Sequence, residues 1–267
     1  MVLLRAFVAF IFVVLTIVFA GLVAWIPGYG SKWRLSIRKF FGRLILRALG
    51  IEITWRGAKT LRPCIIVANH RSYLDPLLIM QHFLALPVAK AEIASWPLIG
   101  YGTKLTGVFF VKREDKEDRR RTLIALTDAV KAGETILVFP EGTTHAEQEV
   151  RTFSKGVFHV AANEGVPIVP IALDFKESKD YWLDDDTFLG HFVRSFGLRK
   201  VRCTVEVGPY IQDTDPLQIH QQSMDWINMH LAEMRMEWNK EDVTEEQMES
   251  TQMATVVVPT KRSFFAK

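Results

Sequence analysis

Cysteine is scarce in this sequence, and neither sign of charge dominates it. Among 267 residues only Cys64 and Cys203 occur, each inside an apolar run, so neither a disulfide framework nor a cysteine metal site is available. Such usage fits a reducing compartment. A net charge of +3 excludes a nucleic-acid binder that works by bulk charge; what matters is where the basic residues lie. No GxSxG elbow is present, which argues against a serine acyl-enzyme. His145-Ala146-Glu147 is not followed by the PCxxC that a zinc deaminase requires. Gly28 and Gly30 form no dinucleotide fingerprint. Repeats of fixed period and long linkers are also missing.

The longest absence is of charge itself. From Ala6 to Ile26 twenty-one residues carry none, and as a helix they would reach about 30 Å, the thickness of a hydrocarbon core. The overall mean hydropathy of +0.10 owes its excess to this run. A cleaved signal peptide would have a shorter apolar region and a small-residue cleavage site. Membrane insertion is the better reading. Behind the run, Arg34, Arg38, Arg43 and Arg47 recur at near-helical spacing beside Lys39, among Leu35, Phe40, Phe41 and Leu44. That pattern predicts a helix in the headgroup layer, its cations on anionic lipids. More basic residues follow the apolar run than precede it, so the rest of the chain is expected on the cytoplasmic side. A pair of helices re-entering one leaflet would leave the same trace.

From residue 51 short β-rich runs alternate with helical ones. Strands are expected at Ile51–Trp55, Cys64–Ala68, Val88–Ala91, Val108–Val111, Ile136–Phe139, Ile168–Leu173 and Val201–Val207. Helices are expected at Pro76–Leu84, Glu114–Ala132, Lys155–Asn163 and Leu217–Trp238. The alternation predicts an α/β domain, a central mixed and partly parallel sheet flanked by helices, over residues 50–239. Residues 1–49 would be the anchoring helices. The polar stretch 240–267 reads as a mobile tail.

Chemistry concentrates in Cys64 to Leu78, CIIVANHRSYLDPLL. An apolar strand ends at Ala68, and polar residues follow before a helix, a common place for an α/β site. His70 and Asp75 are five apart and meet only if a loop-to-helix junction folds between them. Ser72 is the expected N-cap, which puts Asp75 in the first turn. An Asp bonded to one imidazole nitrogen leaves the other free as a base. The bland alternative is that Asp75 only caps the helix. Three more blocks follow: Gly107 to Arg113, a strand emptying into Lys112 and Arg113; Phe139 to Thr143; and Val166 to Pro170.

In this order the blocks resemble the glycerolipid acyltransferase family, marked by NHxSxxD, GxxFxxR, FPEGT and VPIVP. The resemblance spans about residues 50–210. It implies direct acyl transfer from acyl-CoA or acyl-carrier protein to the hydroxyl of a lysolipid, with His70 and Asp75 catalytic and no cofactor or metal. It places Gly107, Lys112, Arg113, Glu141, Gly142 and Thr143 around the acceptor head, Arg113 being the natural partner for a phosphate. Its commonest implied acceptor is lysophosphatidic acid. One departure matters: the family's phosphatidic-acid-forming members usually read FPEGTR, and Thr144 stands here instead. A phosphate-free lyso-aminolipid such as lyso-ornithine lipid is therefore the alternative acceptor. A thioesterase and a catalytically silent membrane adapter are the rivals from other classes.

Overall fold

The computed structural model describes residues 2–26, 31–183, 186–197 and 200–256. In chain order the elements are helices α1 (Val2–Ala24) and α2 (Ser31–Ala48), strands β1 (Ile51–Arg56) and β2 (Ile65–Ala68), helix α3 (Asp75–Met80), strand β3 (Ala85–Lys90), helix α4 (Ile99–Leu105) and strand β4 (Phe109–Val111). There follow α5 (Lys116–Lys131), β5 (Thr135–Val138), α6 (Gly156–Glu164), β6 (Ile168–Phe175), α7 (Phe188–Phe196), β7 (Val201–Val207) and α8 (Pro216–Val256). Every strand read from the sequence forms, within a few residues of its expected ends.

The strands make one seven-stranded sheet in the order β1-β7-β6-β2-β5-β3-β4. All neighbours run parallel except β6 and β7. A parallel strand is buried on both faces and reads as a continuous apolar run, and β2 shows why. Cys64, Ile66 and Ala68 enter one core with Leu46, Leu78 and Phe196, from α2, α3 and α7. Ile65 and Val67 enter the other with Leu126, Phe158 and Leu231, from α5, α6 and α8. The carboxyl ends of β2, β4, β5 and β6 consequently lie along one edge, where the site residues emerge.

The helices expected to anchor the chain are not a separate unit. Ala9 of α1, Ile45 and Leu46 of α2, and Leu49 just after it belong to the same core as the sheet. Helix α1 is long and apolar enough to cross a membrane, yet it touches the body along its length. Arg5 Nη1 donates to the Phe196 carbonyl at 3.1 Å, and Ile17 packs against Gly102 of α4.

The basic stripe of α2 differs from expectation. Arg38 is buried, and its guanidinium donates to the carbonyls of Thr106 at 3.0 Å, Gly107 at 3.3 Å and Ala85. Lys39 donates to the His82 carbonyl at 2.6 Å and Arg43 Nε to that of Gln81 at 2.7 Å. Spacing gives the stripe but not its direction, and carbonyls left open at the ends of α3 and α4 also attract a cation. Burial lowers the Arg38 pKa to about 9.

At the other end, α8 runs through the expected boundary at 240 to Val256. Its apolar periodicity fades after Trp238, but Glu, Gln and Met continue without Gly or Pro and sustain the helix. Lys176 pairs with Glu241 and Asp242 there. Residues 257–267, the rest of the expected tail, lie outside the described residues, as do Gly28 and Gly30.

Candidate active site

Where the chain leaves β2, Asn69 replaces the lost ladder with its own amide. Its Nδ2 donates to the Leu173 carbonyl at 2.8 Å, and its Oδ1 accepts the Leu173 N–H at 2.9 Å. The strand end is thereby fixed to β6 before the turn that carries His70. That turn closes when the Asp75 N–H reaches the Ser72 carbonyl at 3.0 Å. Ser72 is not the cap expected of it: Leu74 stands at the N-cap without a side-chain bond. Asp75 instead folds back from inside the helix, where its acceptor meets donors the turn leaves open.

Oδ2 of Asp75 accepts the N–H of Arg71 at 2.6 Å, the N–H of Ser72 at 2.7 Å and Nδ1 of His70 at 2.7 Å. A carboxylate only accepts, so the imidazole proton sits on Nδ1 and Nε2 carries the free lone pair. Asp75 is fully buried, while the His70 side chain keeps 18% of its surface exposed. Burial pushes the Asp75 carboxyl above the ordinary range, with His70 and the two N–H groups opposing. The His70 ring lies on Phe139, with centroids 4.3 Å apart and planes 22° from parallel.

Glu141 joins this turn to the loop after β5. One oxygen accepts the His70 N–H at 2.8 Å; the other takes His145 Nε2 at 2.9 Å and the Arg151 N–H at 3.1 Å. With its proton on Nε2, His145 offers Nδ1 to the Glu147 N–H and to Arg71 Nη1, each at 3.2 Å. Arg71 is wholly buried, bonded to the His145 carbonyl at 2.9 Å and 3.5 Å from Asp174, an ion pair without a hydrogen bond. Asp174 also accepts the Tyr181 hydroxyl at 2.7 Å and Arg235 Nε of α8 at 2.9 Å. Asn69, Arg71, His145 and Asp174 were not singled out as site residues in the sequence, because burial is what makes them matter. The hint available was polarity inside otherwise apolar segments.

The expected acceptor residues do not all gather. Arg113 and Gly142 do: a Cβ on Gly142 would lie 3.3 Å from Arg113 Nη1, and its φ of +82° favours glycine. Burial lowers the Arg113 pKa, against the pull of Glu114 and Glu92. Thr143 is half-buried beside them and Thr144 is buried. Glu141 lies beneath His70, its carboxylate buried. Lys112 lines a separate cleft of about 350 Å³ with Glu92, Glu114 and Asp115. Gly107, φ +75°, stands at the opposite end of β4 from Arg113, its carbonyl on Arg38. Among the described residues no group of three or more His, Cys, Asp or Glu is arranged to hold a metal ion.

A family model described as Acyltransferase matches residues 52–174. The lyso-ornithine lipid O-acyltransferase of Pseudomonas aeruginosa is 30% identical over 187 residues, covering 65% of this chain and 72% of that protein. The human 1-acyl-sn-glycerol-3-phosphate acyltransferase alpha is 35% identical over 136 residues. The chain spans 46% of that relative's length. The crystal structure of the LPA acyltransferase PlsC from Thermotoga maritima superposes with a TM-score of 0.66 at 21% identity, covering 88% of this chain and 94% of that one. At that identity the likeness speaks for the fold alone.

Proposed function

The chain belongs to the acyltransferase family, and on that premise we propose that it moves a fatty acyl chain from a thioester donor to the free hydroxyl of a lysolipid. One observation carries this reading: Asp75, buried and 2.7 Å from His70 Nδ1, holds the imidazole so that Nε2 is the base on a partly exposed ring. Nε2 takes the proton of the acceptor hydroxyl as that oxygen attacks the thioester carbonyl. The tetrahedral intermediate collapses, the C–S bond breaks, and the imidazolium returns the proton to the departing thiolate. Asp75 stabilises the transient cation. Glu141, bonded to the His70 N–H, keeps the base in register with the loop that bears Gly142.

The donor is acyl-CoA or acyl-carrier protein, and the acceptor head rests against Arg113. A half-buried guanidinium beside a glycine turn favours a phosphate, hence lysophosphatidic acid. A second reading has its own support: Thr144 occupies the place of a guanidinium, and Lys112 stands among three carboxylates, which suits the amine of a lyso-aminolipid. Helices α1 and α2 seat the protein in the membrane with the body on the cytoplasmic side.

The test is an acceptor panel given to the purified full-length protein with a labelled acyl donor. Acylation of lysophosphatidic acid is expected. Acylation of lyso-ornithine lipid alone would select the second acceptor. Release of free fatty acid in preference to any transfer would make the protein a thioesterase, and no turnover with any acceptor would make it an adapter.

A further inference from the structure

Helix α3 carries Asp75 at one end and a cluster of cations at the other. A cleft of about 330 Å³ opens there between α2, β1 and the end of α3, walled by Arg43, Leu46, Arg47, Ile51, Ile53 and the Gln81–His82 turn. No carboxylate lines it. The bond from Arg43 Nε to the Gln81 carbonyl fixes that side chain at its Nε and leaves its two terminal nitrogens for another partner. Arg47, one turn on, is exposed. Lys39 and Lys59 add to the field; with burial as the larger cause, these cations and Arg43 lower the His82 pKa to about 4, so the imidazole is neutral at physiological pH.

The cleft also borders the apolar surface assigned to lipid. Phe40 is 58% exposed and shares a face of α2 with Arg43 and Arg47, three and seven residues on. The same end of α2 meets the start of α1, where Arg5 lies against Gly50 and Leu3, Leu4 and Phe7 are exposed. Two arginines above an aliphatic wall suit a phosphate on an apolar stem.

We propose that this cleft binds the phosphate headgroup of an anionic phospholipid of the surrounding bilayer, at a site separate from the catalytic pair. Arg43 and Arg47 hold the phosphate oxygens, and Leu46, Ile51 and Ile53 take the first carbons behind it. The inference rests on the membrane seat of the protein and not on acyl transfer.

Detergent-purified full-length protein, with no acyl donor present, is examined by native mass spectrometry with phosphatidylglycerol and with phosphatidylcholine. Retention of one phosphatidylglycerol per chain in preference to phosphatidylcholine is expected. Arg47→Gln, which breaks no side-chain hydrogen bond among the described residues, should weaken that retention about tenfold or more, and Arg43→Gln with Arg47→Gln should abolish it. His70→Ala should retain lipid as the wild type does, so the outcome is independent of catalysis. Equal retention by the double variant would place the lipid elsewhere and overturn the site. Indifference between the two lipids would overturn the charge selectivity. Displacement of the lipid by millimolar inorganic phosphate would show a site for free phosphate rather than for a headgroup.

Discussion

Arg71 and Arg38 are both buried arginines, and they sit in opposite company. Arg71, behind the His70 turn, faces Asp174 and His145 in a network that reaches α8 through Arg235. Arg38, at the seam where α2 meets the body, faces the carbonyls of Ala85, Thr106 and Gly107, with no carboxylate bonded to it among the described residues. A full counter-charge makes a buried cation dependent on its partner, because either one left alone is an uncompensated charge. Partial charges spread over three carbonyls make a weaker and more forgiving clamp. The site is therefore built to be rigid, and the seam to be held without being locked.

The strongest blow to this contrast comes from the base itself. His70→Ala should lower turnover by about two to four orders of magnitude with little change in melting temperature; near wild-type transfer would remove His70 from the mechanism. Asp75→Asn separates activity from stability. A carboxyl whose folded pKa lies above its unfolded one stabilises the fold only below the unfolded value and loses that contribution as pH rises through the folded one. Burial places Asp75 in this class. The Asn variant should thus turn over slowly yet melt no lower than wild type at pH 7, any advantage vanishing as pH falls below the ordinary carboxyl range.

Arg71→Met should cost about 3–5 kcal/mol, the loss expected when one partner of a buried pair is removed, read from chemical denaturation. A cost no larger than that of Arg38→Met would erase the distinction between the two arginines. Arg113→Ala should raise KM for lysophosphatidic acid about ten- to a hundredfold, and Thr144→Arg should leave that KM level or lower it. With a lyso-aminolipid acceptor the added guanidinium should raise KM instead. Arg38→Met carries the smallest expected effect, about 1–3 kcal/mol from carbonyls left without a donor, measured in the same denaturation series.

Much of this was legible in the sequence where periodicity or spacing could carry it. The central strands β2, β5 and β6 were readable because two-sided burial writes each as an apolar run, β1 and β7 because apolar and polar residues alternate along them, and the His70–Asp75 junction because a strand end fed a helix start. Helix α4 was hidden by Gly100 and Gly102, which look like turn residues, and α7 by Gly190 and Gly197 at its borders. Arg38 was assigned to lipid because a sequence gives the angular position of a side chain on its helix but not what packs there. Ser72 does not cap α3 for a related reason: the geometry of the turn puts Leu74 at the cap position without a side-chain bond and turns Asp75 back onto the N–H groups of Arg71 and Ser72.

The contact between Arg5 and Phe196 joins residues 191 positions apart, and that separation has a meaning in time. At ribosomal rates of roughly 5–20 residues per second, the first helix made must wait about 10–40 s for the segment it finally touches. Its apolar length is not idle in that interval if the bilayer receives it. The order of events is then insertion first and closure of the fold last, with α4 and α7 arriving at a helix already in the lipid. A chain synthesised without membranes should expose α1 throughout that wait and aggregate there, whereas one supplied with vesicles from the start should reach the folded state.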